Sequence, residues 1–337
     1  MIEPVGWMRE EGPDDDVVIS TRARLARNLV GYRFPHRASD AERVEVAAMV
    51  RRALADEVPG GWRFVEPAQG RTDSRELLCA AMAKPGYGDR SGEVLACSGD
   101  GHEFVLINEE DHIRIQRLER GLATESCLVG AEALGCALAD GLAMAFDPGR
   151  GYLAASPANT GLSLRISSMV HVPGLASRGK LDRLFRAAEL LGLTARGVFG
   201  EGTRGLGHVY QISNQGPDPF RRRDEREGGA GDAAQRIRAA VQAAASLVVA
   251  AEGEARGELA ARRGDSIRDA ATCGTRFARE CEWIGADVAL LLSAWSDMRL
   301  GRALGIEGLP SLGHLTAMLS RWGRRFGTRE GVSVLYK

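Results

Sequence analysis

The chain has 337 residues, with 44 Lys+Arg against 45 Asp+Glu and a formal net charge of -1 at pH 7. That length exceeds one typical domain and leaves room for a substantial core, so two folding units are expected. The near-neutral balance argues against direct nucleic-acid binding through bulk phosphate neutralisation, and a chain with no leader-like N-terminus and no apolar run near the ~18 residues of a membrane span is expected to be cytoplasmic, with no membrane partner. Lysine is confined to Lys84, Lys180 and Lys337, so nearly every cation is an arginine, a planar fork suited to phosphate oxygens; GC-rich coding is the competing explanation. The six cysteines, Cys79, Cys97, Cys127, Cys136, Cys273 and Cys281, form no C-x-x-C pair and have no histidine at ligand spacing. They read as reduced, mostly buried thiols, and no metal-ligand set is assigned.

Taken in chain order, the apolar Val17-Val18-Ile19 runs into Ser20-Thr21-Arg22-Ala23-Arg24. In an extended segment Arg22 and Arg24 share a face, as a polyphosphate clamp or as a solvated basic edge. Ser39-Asp40-Ala41-Glu42 is a capping box ahead of Val46, Val50, Ala53 and Leu54, which fall on one helical face. A short strand at 104–107 leads straight into Asn108-Glu109-Glu110-Asp111-His112-Ile113-Arg114. Three successive carboxylates at a strand end must face water, cap the next element or hold something cationic; a magnesium carried by ATP phosphates is a further option.

Ser156-Pro157-Ala158-Asn159-Thr160-Gly161 is a turn, and the strand after it sets Leu162, Leu164 and Ile166 on one face and Ser163, Arg165 and Ser167 on a polar, cleft-like one. Leu181, Leu184, Phe185 and Ala188 form a helical stripe, with Gly192 at its stop. Gly200-Glu201-Gly202-Thr203-Arg204-Gly205 matches G-x-G-x-x-G, yet it leads into the strand-like His208-Val209-Tyr210-Gln211-Ile212 rather than a helix. It therefore reads as a glycine-rich loop between strands and not as a dinucleotide fingerprint. Residues 216–232 form a charged, Pro- and Gly-rich linker, and segments 233–261, 286–300 and 312–326 read as helices. The expectation is an α+β domain over 1–215, the linker, and a small all-α domain over 233–337.

In this order, the segments Trp7-Met8-Arg9 with Glu11-Gly12-Pro13, STRARLARN, NEEDHIRIQ, SPANTGLSLR and RGVFGEG with YQISNQ resemble the phosphagen (ATP:guanido) kinase superfamily, and within it the bacterial protein-arginine kinase branch. The likeness spans about residues 7–215 and continues loosely through Ser296-Asp297-Met298-Arg299-Leu300-Gly301. It implies a glutamine-synthetase-like antiparallel sheet flanked by helices and a C-terminal helical domain that dimerises. It implies ATP and Mg2+ as cofactors, with nucleotide contacts from Ser20, Thr21, Arg22, Ala23 and Arg24, from Arg114, from Arg165, Ile166, Ser167, Ser168 and Met169, and from Arg196, Gly197, Val198, Phe199, Gly200 and Glu201. Glu110 matches the carboxylate taken as base, Glu201 the loop carboxylate that completes the guanidinium site, and Ser156 the usual cysteine beside the substrate. The implied activity is transfer of the γ-phosphoryl group to arginine in proteins, marking them for regulated degradation as part of protein quality control, with a Clp-type unfoldase-protease as partner. A kinase for a small free guanidino compound and a pseudokinase adaptor are the alternatives.

The chain departs from the pattern at Ser156, whose hydroxyl cannot ionise at neutral pH as a thiol can. It also has Cys79, Ala80, Ala81 and Met82 where the family carries a histidine near the nucleotide, and it lacks the family's C-terminal RDxxRA pocket for phosphoarginine.

Overall fold

A computed structural model describes residues 4–59, 61–66, 77–84, 86–198, 205–215, 230–280 and 287–326. Eight strands form one sheet: β1 (Val18–Arg27), β2 (Arg63–Val65), β3 (Val94–Cys97), β4 (Glu103–Ile107), β5 (Ile113–Arg120), β8 (Leu164–His171), β9 (Leu193–Gly197) and β10 (Val209–Asn214), while β6 (Phe146–Asp147) and β7 (Gly151–Tyr152) make a separate hairpin. The spatial order is β2-β3-β4-β5-β1-β8-β10-β9 and every pairing is antiparallel.

The register decides which side chains share a face, because residues directly opposite each other across an antiparallel pair point the same way. Ala23 lies opposite Ile166, and Leu25 opposite both Ile115 and Leu164. This apolar face is covered by α1 (Asp40–Glu57), α2 (Thr124–Gly141), α4 (Leu181–Leu190) and the first half of α5 (Ala230–Glu280), and Val50, Leu54, Leu128, Leu134, Phe185, Ile237 and Val241 complete one continuous core with it. The predicted capping box is present on α1: Ser39 Oγ accepts from the Glu42 amide, and the Glu42 carboxylate accepts from the Ser39 amide at 2.8 Å. Such caps are worth about 1 kcal/mol.

Helix α5 starts inside the segment expected to be linker and continues past the expected end at Ala261 to Glu280, with a single non-helical residue at Arg263. It is fastened to the sheet by buried charge as well as by its apolar stripe. Arg256 donates to Glu252 (2.8 Å), to the Asp16 carbonyl (3.1 Å) and to the His171 carbonyl (2.8 Å). Glu252 in turn accepts from the amides of Gly174 and Leu175, at the start of the short α3 (Pro173–Ser177). From α6 (Val288–Ala303), Arg299 donates to the Asp15 carbonyl, while the Asp15 carboxylate pairs with Arg120 at 2.6 Å. The acidic run before β1 is thus a dock for the helical segment.

The opposite face of the sheet is polar in its centre and apolar at both flanks. One flank is Leu95, Phe104, Leu106 and Leu118 beneath Trp7, Met8 and Tyr87; the other is Ile19, Met169, Val198 and Val209 beneath Trp295 of α6 and Leu315 of α7 (Leu312–Phe326). The Glu11-Gly12-Pro13 segment closes the first flank by contact: a Cβ on Gly12 would meet the Arg120 carbonyl oxygen at 1.9 Å and one on Gly121 the Pro13 oxygen at 2.2 Å, so only glycine fits at either position. Of the cysteines, Cys79, Cys97 and Cys127 are buried as expected; Cys136 and Cys273 are exposed, against expectation, and Cys281 lies outside the described residues. No helix among the described residues is long and apolar enough to cross a membrane.

Candidate active site

The polar centre of the sheet is built from arginines on four strands. Arg24 of β1 faces Arg165 of β8 on one side and Gln116 of β5 on the other, Arg22 faces Ser167, and Arg196 of β9 faces Gln211. Alternation along β5 adds Arg114 to the same face. Arg165 donates to Ser213 Oγ at 2.9 Å and Arg22 to Gln116 Oε1 at 3.4 Å. Burial depresses the Arg24 pKa well below the usual arginine value, and Arg22, Arg165 and Arg114 add to the shift. Arg165 is pushed down to about 10 by burial and by Arg196 and Arg114. Guanidinium groups crowded in this way, with Arg24 Nε having no hydrogen-bond acceptor among the described residues, form a surface whose electrostatic need is a polyanion.

Not every residue of the expected nucleotide set reaches this face by its side chain. Ser20, Arg22, Arg24, Arg165, Ser167 and Met169 do, although Met169 is packed into the apolar flank with Val198. Thr21, Ala23, Ile166 and Ser168 point to the helix-covered side, so their side chains do not join the arginine face. Thr21 is committed there, donating to the Gly121 carbonyl at 2.6 Å and accepting from the Ala123 amide at 3.1 Å. Gly197 ends β9; Phe199, Gly200 and Glu201 lie outside the described residues. Gly205, the last residue of the glycine-rich segment, leads through one 3-10 turn at Leu206–His208 into β10, and residues 199–204 lie outside the described residues.

At the end of β4 the chain reverses tightly. Asn108 adopts φ +58°, a conformation that asparagine tolerates better than most residues, and its amide donates to the His112 carbonyl at 2.9 Å. Its side chain is pinned to the carbonyls of Arg43 and Gly92, both at 2.8 Å. The three carboxylates that follow are sorted into three roles. Glu109 is buried, paired with Lys84 Nζ at 2.5 Å and with Arg114. Asp111 is fully buried and accepts from Asn28 Nδ2 and from the Ala155 amide, each at 2.7 Å, tying this loop to the segment that carries Ser156. Of the three, Glu110 is the accessible one: 41 % of its side chain is exposed, and among the described residues its carboxylate pairs with Arg114 Nη1 at 3.3 Å.

Glu110 and Ser156 line one cleft of about 780 Å³, together with Lys84, Arg90, Glu93 and Glu109. Arg114 is the joint between that cleft and the arginine face. Burial alone would pull Arg114 down, but Glu109 and Glu110 outweigh it and its pKa is raised. A cation gripped by Glu110 would therefore lie beside a surface made for phosphate.

Two residues of the site carried no functional reading in the sequence. Asn28, at the end of STRARLARN, donates to Asp111 and to the Leu153 carbonyl (3.0 Å) and accepts from the His112 amide (2.9 Å), so one side chain sets both loops. His112 accepts at Nδ1 from the Leu29 amide (3.1 Å), and its Nε2 donates to the Arg33 carbonyl (2.9 Å). With burial lowering its pKa, it is a neutral structural brace.

Glu109 gives the site an acid limit. Burial would raise its carboxyl, but Arg114 and Lys84 win and hold it at about 2 against an ordinary 4.5. A depressed carboxyl stabilises the fold fully above its unfolded pKa and loses that contribution as pH falls through the folded one. Glu109 is expected to contribute on the order of 3 kcal/mol, lost between about pH 4.5 and pH 2. Acid titration of unfolding should be correspondingly shallower in Glu109→Gln than in the unaltered chain.

Comparison with known proteins agrees with this geometry. The family described as ATP:guanido phosphotransferase, C-terminal catalytic domain, matches residues 72–217. The chain is 41% identical over 215 residues to a protein-arginine kinase of Shouchella clausii, covering 62% of this chain and 60% of that relative. It is 36% identical over 309 residues to a protein-arginine kinase of Symbiobacterium thermophilum, covering 89% and 83%. It thus spans about 60% of the length of several curated relatives that it matches. Among solved structures, it superposes on the duplicated taurocyamine kinase of Schistosoma mansoni with bound transition state analog components at TM-score 0.55 and 26% identity, covering 72% of this chain and 34% of that one. A lombricine kinase shares the fold at TM-score 0.55 and 22% identity, covering 75% and 70%. An arginine-paved antiparallel sheet beside a carboxylate cleft, matched over nearly the whole chain by a relative at better than one residue in three, makes this protein a member of the ATP:guanido phosphotransferase family.

Proposed function

We propose that the protein transfers the γ-phosphoryl group of ATP to the guanidinium of arginine side chains in proteins. The observation that carries this reading is the juxtaposition of Glu110 and Ser156 in one cleft, joined through Arg114 to the arginine face. A guanidinium with a pKa above ~12 is almost entirely protonated at neutral pH and is a poor nucleophile. Glu110 would align one nitrogen with the γ-phosphorus and take its proton as the N–P bond forms and the bond to the ADP oxygen breaks. Arg22, Arg24, Arg114, Arg165 and Arg196 would hold the phosphates and stabilise the charge spread over the transferring group. Glu201 is proposed as the second carboxylate on the guanidinium.

Among the described residues, no group of three or more His, Cys, Asp or Glu converges on a metal position. Magnesium is proposed as the counter-ion that comes with the nucleotide, where it would supply charge neutralisation to the phosphates.

A protein acceptor is favoured over a free guanidino acid by the cations of the cleft. A free acid brings a carboxylate or sulfonate that needs its own cation, but in the cleft Arg90 is paired with the buried Glu93 at 2.6 Å, and Lys84 faces Glu109 on the acidic wall that would take the guanidinium. A peptide arginine brings neutral amides instead. Incubation with Mg-ATP and an unfolded protein is expected to give acid-labile phosphate on arginine; a product formed only with free guanidino compounds would support the metabolite reading, and binding of nucleotide without transfer the adaptor reading. Further proposals on the same resemblance are kinship of the sheet with that of glutamine synthetase, a C-terminal dimer contact, a cytoplasmic role in protein quality control and delivery to a Clp-type unfoldase-protease.

Ser156 offers the substrate only a neutral hydroxyl. Replacing a neutral hydrogen bond by a charge-assisted one is worth about 1 kcal/mol, so Ser156→Cys is expected to raise turnover about fivefold. A phosphoarginine assay at saturating ATP reads the change, and an unaltered or lower rate would remove Ser156 from the acceptor site.

A further inference from the structure

We propose that Lys84 is a specificity residue that acts as a displaceable stand-in for the acceptor, its ammonium occupying the acidic wall of the cleft until a substrate guanidinium replaces it; this rests on the kinase reading above. Lys84 Nζ sits 2.5 Å from Glu109 Oε1, and both residues line the cleft that Glu110 and Ser156 share. The Lys84 side chain is 41% exposed while that of Glu109 is 5% exposed, so the carboxylate is fixed and its partner is the part free to swing out. Arg114 remains on Glu109 from the other side, so the carboxylate keeps a cation when the ammonium leaves.

The identity of the residue matters as much as its place. The chain uses arginine for nearly every cation and lysine at only three positions, one of which is this cleft. Arg114, the other cation on Glu109, is a fixed side chain only 17% exposed, whereas an arginine at the more exposed position 84 would put a mobile guanidinium against the acceptor carboxylates, where it would itself be an acceptor. A lysine offers the same charge on a flexible stem without the guanidinium nitrogen that the reaction requires.

Displacing a half-exposed ion pair costs an incoming ligand about as much as the pair contributes. Lys84→Met keeps the aliphatic stem and removes the competitor. Its Kd for N-acetyl-arginine amide, measured by titration calorimetry without nucleotide, is expected to fall about fivefold, while the affinity for ADP stays unchanged. A weaker or unaltered Kd overturns the proposal, because a residue that merely steadied Glu109 would lower affinity when removed. Lys84→Arg supplies the second readout. After incubation with Mg-ATP, mass spectrometry is expected to find phosphoarginine at position 84: a guanidinium N–P bond is made, the bond between the γ-phosphorus and the ADP oxygen is broken, and the nitrogen's proton passes to Glu110. Persistent absence of that mark, in a variant that still phosphorylates added protein, places position 84 outside the acceptor site and overturns the proposal. Failure of the unaltered chain to phosphorylate any acceptor would instead refute the kinase reading, and the nucleotide-free Kd comparison would still decide the role of Lys84.

Discussion

Glu110→Gln is expected to lower the rate of phosphoarginine formation by about 10²–10⁴-fold, the usual worth of a positioned general base. The amide keeps the shape of the side chain and can still hydrogen-bond, but it cannot take the proton that the guanidinium must lose. Stability is expected to move by no more than ~0.5 kcal/mol, because Glu110 is partly exposed and its ion pair among the described residues, with Arg114 at 3.3 Å, is a weak one. The KM for ATP is expected to change little, since Arg114 keeps its partner Glu109. Rates at saturating ATP, with a urea midpoint as control, make the test. A loss smaller than about threefold would be too little for general-base catalysis and would move the proton to another group.

Arg24→Met is expected to separate stability from activity. Arg24 is buried, its Nε has no acceptor, and its charge is opposed first by desolvation and then by Arg22, Arg165 and Arg114. A thioether of similar length relieves that opposition, so the ligand-free fold is expected to gain roughly 1–3 kcal/mol. The same change removes a preorganised donor from the phosphate surface, and turnover is expected to fall about 10²–10³-fold. ADP should raise the urea midpoint of the unaltered chain more than that of the variant, because a ligand stabilises only in proportion to its affinity for the folded state. A variant both less stable and fully active would show that the cluster is structural and not a phosphate surface. Under the proposed kinase reading, this face holds its charges in place beforehand, and a bound polyanion would relieve their repulsion.

Local chemistry made much of this readable from the residues alone. The Ser39 capping box, the stripe on α1 and the strand that carries Arg165 all depend on neighbours a few positions apart, where caps and periodicity act. The pairing of Arg22 with Arg24 on one face follows from the two-residue period of a strand. The resemblance singled out Glu110; what the sequence left open was the part played by its neighbours Glu109 and Asp111. Glu109, Glu110 and Asp111 are consecutive and chemically alike, yet one is neutralised by Arg114 and Lys84, one faces the cleft and one is a buried tie to Asn28 and Ala155. The alternatives at Ser20 to Arg24 were likewise undecided until β1 was seen between β5 and β8, which buries the strand and sets Arg165 opposite Arg24. The same holds for Arg256 and Arg299, helix residues that fasten to an acidic turn some 240 and 284 positions earlier in the chain. Composition and spacing determined the elements and the kinds of group available for chemistry; long-range register decided burial and partners, and burial and partners set whether an ionisable group braces, binds or reacts.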